Sequence, residues 1–263
     1  MPPGRRRYAG WVSLSLLLLT LALLMIGALA QRIAGLGFAM VVSPFLVLVM
    51  GPHHGIVLVN LCGVFSSLLI IHHVWKDIRW RPFIWLIVPA LIGSLPGSFL
   101  ANALPSGPLS IIVGGMVLLA LGVTAVLTRK GHVLGDTGPH RGVAGLFAGF
   151  TNSLSGVGGP VLTAYAELTR WPQRDFAATL QPFFIITGSF SAATKVIADP
   201  STMPVFDWWQ WLLLAVAIVL GVQIGNRLAP KVHDKLARRL VLLMAVIGAV
   251  TAVVKGVFDI VGR

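Results

Sequence analysis

The feature that most restricts this chain is a succession of long apolar runs interrupted by short charged clusters. The runs fall at 11–34, 36–50, 53–75, 82–103, 107–127, 142–155, 157–169, 175–197, 208–228 and 237–258. About twenty apolar residues in a helix match the hydrocarbon thickness of a bilayer, and a helix satisfies its own backbone polar groups there. Only 11% of the 263 residues are charged, against roughly 25% in a soluble domain. A transmembrane barrel would show alternating segments of roughly ten residues, and none are present. The expected fold class is therefore an all-α membrane protein, a polytopic helical bundle. Trp75, Trp80, Trp85, Trp171, Trp208, Trp209 and Trp211 sit at run ends, where an interfacial aromatic belt belongs.

A net charge of +12 does not point to nucleic acid, because the bases lie in short loops rather than in a stripe. The lipid bilayer is the partner they indicate. Under the positive-inside rule the loops 76–81, 128–141, 170–174 and 227–239 are cytoplasmic. That makes the protein a multi-pass component of the cell (inner or plasma) membrane with an extracytoplasmic C-terminus. Arg5, Arg6 and Arg7 conflict with the same placement of the N-terminus, so its side stays open. Ala28-Leu29-Ala30-Gln31 resembles a signal-peptidase site, but the run before it is long for a signal core, and no cleavage is expected. Cys62 stands alone and supports neither an internal disulfide nor a cysteine-based metal site.

The runs 36–50, 142–155 and 157–169 are too short to cross; at 1.5 Å per residue fifteen residues reach roughly 22 Å of a roughly 30 Å core. They read as arms of broken hairpins, either spanning or re-entrant. The breaks match one another. Gln31-Arg32-Ile33-Ala34-Gly35-Leu36-Gly37-Phe38 aligns with Asn152-Ser153-Leu154-Ser155-Gly156-Val157-Gly158-Gly159 at an offset of 121, which also pairs Asn60 with Gln181 and Ser67 with Gly188. Gly93 and Gly97 find counterparts in Gly221 and Gly225, both with the GxxxG spacing of close helix packing. The chain then divides into an N-terminal repeat, 1–127, a cytoplasmic linker, 128–141, and a C-terminal repeat, 142–263. Each half has one hairpin and three spans, an odd number of crossings, so the halves should be inverted. Loop charge agrees: Lys76, Arg79 and Arg81 make one loop basic, while its counterpart carries Asp199 and Asp207 and no base.

Non-helical backbone at membrane depth survives only where it is buried in protein or lines a cavity. A helix that starts there turns free N–H groups and its positive dipole end toward the cavity. The candidate substrate-binding residues are thus Gln31, Arg32, Gly35, Gly37, Asn60, Asn152, Ser153, Ser155, Gly156, Gly158, Gly159, Gln181 and Lys195. The glycines let backbone approach a ligand, or merely allow tight helix crossing. Arg32 favours an anion if it lies near the midplane, or else snorkels to the interface. Asn60 and Ser67 share one helical face, as do Gln181, Gly188 and Lys195.

His53-His54 and His72-His73 lie at opposite ends of one span, about 30 Å apart by helix rise, and cannot form one metal site. All eight carboxylates lie in or near loops, which leaves no interior acid as a cation ligand or proton carrier. No HExxH, paired interior acids or Walker motif is present. No cofactor and no catalytic residue is expected, and an enzyme ranks last. A cation transporter lacks its acids, and a non-transporting scaffold or assembly factor leaves the paired breaks without a reason.

Ala34-Gly35-Leu36-Gly37 with Ser43-Pro44, Leu154-Ser155-Gly156-Val157-Gly158-Gly159-Pro160, and the two GxxxG elements resemble the TauE/SafE family of sulfite and organosulfonate exporters over roughly residues 11 to 258. Phe38-Ala39 departs from the further glycines usual in the first hairpin of that family. The resemblance implies secondary-active efflux of small sulfur-containing anions such as sulfite or sulfoacetate, coupled to a proton or anion gradient. It is compatible with a homo-oligomer.

Overall fold

Apolar runs that must hide their backbone from lipid can only become helices, and among the described residues no strand occurs. The computed structural model describes residues 14–34, 37–130, 134–228 and 234–262. Its helices are α1 (Leu14–Ala34), α2 (Phe38–Met50), α3 (Pro52–Val74), α4 (Trp80–Ala103), α5 (Ser106–Lys130), α6 (Gly138–Ser155), α7 (Gly159–Thr169), α8 (Gln173–Ala198), α9 (Trp208–Leu228) and α10 (Asp234–Val261). Seven of them are long and apolar enough to cross a membrane: α1, α3, α4, α5, α8, α9 and α10. The short arms α2 and α7 have 13 and 11 residues, about 20 Å or less. The protein is an all-α, multi-pass membrane protein.

Helix occupies both ends of the stretch read as a linker, since α5 runs to Lys130 and α6 begins at Gly138. Thr128-Arg129-Lys130 contains no helix breaker. Pro139 occupies the first turn of α6, where its missing N–H costs nothing.

The surface is apolar and the interior is comparatively polar. Ile84, Val88, Ile92, Leu95 and Phe99 form one exposed face of α4, and Leu243, Val246, Ile247, Val250, Val254 and Phe258 do the same on α10. Gln31, Asn60, Asn152, Gln181 and a series of serines are buried. That inversion is what a lipid solvent dictates, because polar groups must find each other inside the bundle.

Small residues set the helix contacts. On α4, Gly93 and Gly97 lie against the backbone carbonyls of Leu146 and Phe150 of α6. On α9, Gly221 and Gly225 lie against those of Met25 and Leu29 of α1. A Cβ at Gly97 would also stand 3.1 Å from Ser153 Cβ, and one at Gly225 2.8 Å from Arg32 Cβ. Each of these α1 residues has its α6 partner 121 positions later. In the centre α3 and α8 run antiparallel, with Gly188 against Asn60 and Val64. At one end of that seam Arg79 pairs with Asp175 at 2.5 Å and Arg174 with Asp77 at 2.8 Å. At the other end His53 comes within electrostatic reach of Lys195.

Candidate functional site

Both hairpin tips turn through backbone that favours glycine. Gly37 has φ of 126° and Gly156 has φ of 77°, a region that costs a residue with a Cβ about 1–2 kcal/mol. At the second tip the Gly156 N–H donates to Asn152 O at 2.8 Å, which closes α6. The Val157 N–H donates to Ser155 Oγ at 3.3 Å, and that hydroxyl donates in turn to Thr151 O at 2.8 Å. The break is thereby stitched by its own side chain. Ser43 of α2 donates to Ser155 O at 2.7 Å and fastens one hairpin to the other.

Between the tips lies a cavity of about 430 Å³ including its mouth. Gly37, Phe38, Ala39 and Met40 at the start of α2 line it, together with Gly156, Val157 and Gly159 around the start of α7. First-turn N–H groups have no partner within their own helix, so two helix N-termini present donors and positive dipole ends to one space. Val59, Asn60 and Gly63 of α3 and Phe184 and Gly188 of α8 complete the walls with Gln31 and Asn152. No carboxylate, lysine or arginine is among these lining residues.

Two amide clusters bound the space. In the first, Gln31 Nε2 donates to Ser67 Oγ at 2.9 Å and to Gln181 Oε1 at 3.1 Å, while Ser66 Oγ donates to Gln31 Oε1 at 2.8 Å. In the second, Asn152 Nδ2 donates to Asn60 Oδ1 at 3.0 Å, and Asn60 Nδ2 donates to Ile56 O at 2.9 Å. Ser67 and Asn60 are seven residues apart on α3, so the clusters are separated by about 10 Å along that helix.

Of the residues expected at the site, Gln31, Gly37, Asn60, Asn152, Gly156 and Gly159 line the cavity. Gln181 stands behind Gln31 and Ser155 stitches the tip. Gly158 is tucked under α6, where a Cβ would lie 2.7 Å from Ala148 O. Ser153 faces α4, with its buried hydroxyl lacking a hydrogen-bond partner. Arg32 turns to α9, and its Nε donates to Asn226 Oδ1. Lys195 lies two helical turns beyond Gly188 along α8. Gly35 lies outside the described residues. The apolar lining, Phe38, Ala39, Met40, Val59, Gly63 and Phe184, was not legible among so many apolar residues. Ser66 was missed although a signal existed, since it adjoins Ser67 and a serine pair within an apolar run calls for an interior partner.

Among the described residues no three histidine, cysteine or acidic side chains converge in a way that could hold a metal. Neither the curated proteins nor the solved structures gave a match. The model of one family, Sulfite exporter TauE/SafE, matches residues 18–252. That match takes in both broken hairpins and reaches all ten helices, so the chain belongs to the TauE/SafE sulfite exporter family, a family of membrane transporters.

Proposed function

We propose that the protein is a secondary-active exporter of small sulfur-containing anions, sulfite or an organosulfonate, which bind between the hairpin tips. The observation that carries this reading is the meeting of two helix N-termini in one cavity without a lining carboxylate. An anion there gains backbone N–H donors and two dipole ends without having to displace a fixed counter-ion. Asn60 and Asn152 each commit one amide proton to protein and line the cavity, so each keeps a second donor for an oxyanion.

Two inverted repeats fit the same picture. The α4–α6 and α1–α9 contacts are related by the 121-residue offset on the hairpin side, and the α3–α8 seam maps onto itself under it. Exchange of the two halves would open the cavity past one amide cluster or past the other, which is alternating access. The paired ends of α3 and α8 at Arg79–Asp175 and Arg174–Asp77 close the side carrying the basic loops, the cytoplasmic side by charge.

Proteoliposome flux tests the proposal. Sulfite or sulfoacetate should cross faster with protein than without, and Asn152→Ala should slow the flux by about tenfold or more, the worth of one charge-assisted hydrogen bond. No flux across a panel of sulfur oxyanions and sulfonates, with the protein folded and correctly inserted, would rule out the substrate class.

A further inference from the structure

The seam between α3 and α8 carries a polar file that does not end at the cavity. Ser67 meets the Gln181 cluster, Asn60 meets Gly188, and one heptad further the same register sets His53 opposite Lys195, within reach of its charge. Each step is about 10 Å along the helices. Lys195 is 2% exposed, so it does not reach out to the lipid interface. Among the described residues no hydrogen bond or ion pair engages its ammonium. The nearby carboxylate, Asp199, is already engaged, accepting from the Ser201 N–H at 2.9 Å and the Ser201 hydroxyl at 2.7 Å. Among the described residues the buried polar atoms closed off without a partner are the Ser153 and Ser191 hydroxyls, so the ammonium nitrogen keeps some open surface. The stretch is held in place by α4, where Asn102 Nδ2 donates to Lys195 O at 3.2 Å and Ser98 bonds Thr194 at 2.8 Å.

An ammonium in membrane-embedded protein is costly without a counter-charge. The opposite end of the same seam shows the ordinary solution, since Arg79 and Arg174 there both have aspartates. Lys195 instead lies at the register position of His53, a second base whose surroundings include the Lys195 charge, and no carboxylate pairs with it among the described residues. Two bases at one end of the seam, one of them buried without a partner and held from behind by α4, form a site whose missing member is an anion.

We propose that Lys195, with His53, is a second anion-binding station, distinct from the cavity and placed between it and the face opposite the basic loops. It takes the same class of ligand, a small oxyanion such as sulfite, and captures or releases it on that side. The station rests on the transporter reading for its role in the transport path, but its binding stands apart from flux.

The test uses the full-length protein and Lys195→Met, Lys195→Arg and Asn152→Ala, with sulfite as the probe. Without ligand, Lys195→Met should melt at a higher temperature than wild type, because an uncompensated charge has been removed from the interior. Equilibrium sulfite binding should weaken by about tenfold in Lys195→Met, and remain within about threefold of wild type in Lys195→Arg. In proteoliposomes the same substitution should raise KM for sulfite on the Lys195 side and leave that of the opposite side unchanged. A lower melting temperature, or failure of Lys195→Met to fold, identifies a structural lysine and overturns the station. Unchanged sulfite binding and KM in Lys195→Met also overturn it, while wild-type flux and the Asn152→Ala loss leave transport standing. Binding that depends on Lys195 without flux in the wild type keeps the station and removes transport. A wild type that neither binds nor moves sulfite removes both.

Discussion

Replacing Gln31 by methionine removes one side chain that joins α1 to two other helices. Its amide makes three hydrogen bonds, with Ser66 and Ser67 of α3 and Gln181 of α8, and all four residues are buried. Hydrogen bonds between membrane helices average about 0.6 kcal/mol and reach about 1.7 kcal/mol, so three amount to about 2 kcal/mol. Methionine fills nearly the same volume, which keeps cavity formation out of the measurement. The serine hydroxyls can fall back on carbonyls one turn earlier in α3, which limits the loss. Reversible unfolding in mixed micelles should therefore show Gln31→Met destabilised by about 2 kcal/mol. A cycle with Ser67→Ala should return a coupling of about 0.6 kcal/mol. Stability within about 0.5 kcal/mol of wild type, the ordinary range for a surface change, together with zero coupling, would refute the claim that this cluster holds α1 in place.

Further tests address the packing, the charges and the closed side. Gly93→Leu should abolish folded expression, because any Cβ there meets the Leu146 carbonyl, whereas Gly115→Ala, with nothing within 4 Å, should stay within about 0.5 kcal/mol of wild type. Burial pushes the Asp136 carboxyl up, but hydrogen bonds from Arg141, Tyr165 and Trp171 outweigh it and hold the group down at about 2. A lowered carboxylate stabilises the fold above its unfolded value of 3.8, and that contribution is lost as pH falls toward about 2. Asp136→Asn should flatten this part of the acid-unfolding curve, at a cost below about 1 kcal/mol near pH 7 because the site is exposed. Asp77→Asn with Asp175→Asn should cost little stability, below about 1 kcal/mol for each half-exposed pair. The same double change should speed thiol labelling of Gly63→Cys from the basic-loop side; an unchanged rate would mean that these pairs do not close it.

Much of the bundle was legible because the solvent imposes one rule on every residue. Apolar runs gave the crossings, and the glycines at 37 and 156 gave the breaks, since both turn through positive φ. The convergence of Gln31, Asn60, Asn152 and Gln181 followed from the cost of amides in lipid. What a run cannot tell is how its helix is rotated about its own axis. Arg32 and Gln31 are adjacent in sequence, yet one turns to Asn226 of α9 and the other to the cavity. Ser153 and Asn152 part in the same way, toward Gly97 of α4 and toward Asn60. Rotation is set by GxxxG partners far along the chain, and neither hairpin carries that information locally. Lys195 shares a face with Gln181, as its spacing required, but two helical turns separate it from Gly188 at the cavity wall.

The most direct measurement is a structure determined with sulfite or sulfoacetate bound. The expected result is ligand density between residues 37–40 and 156–159, with its oxygens toward the first-turn N–H groups of α2 and α7 and the amides of Asn60 and Asn152. Ligand density elsewhere with the space between the tips empty, or a cation bound there instead, would contradict an anion site built from two broken helices.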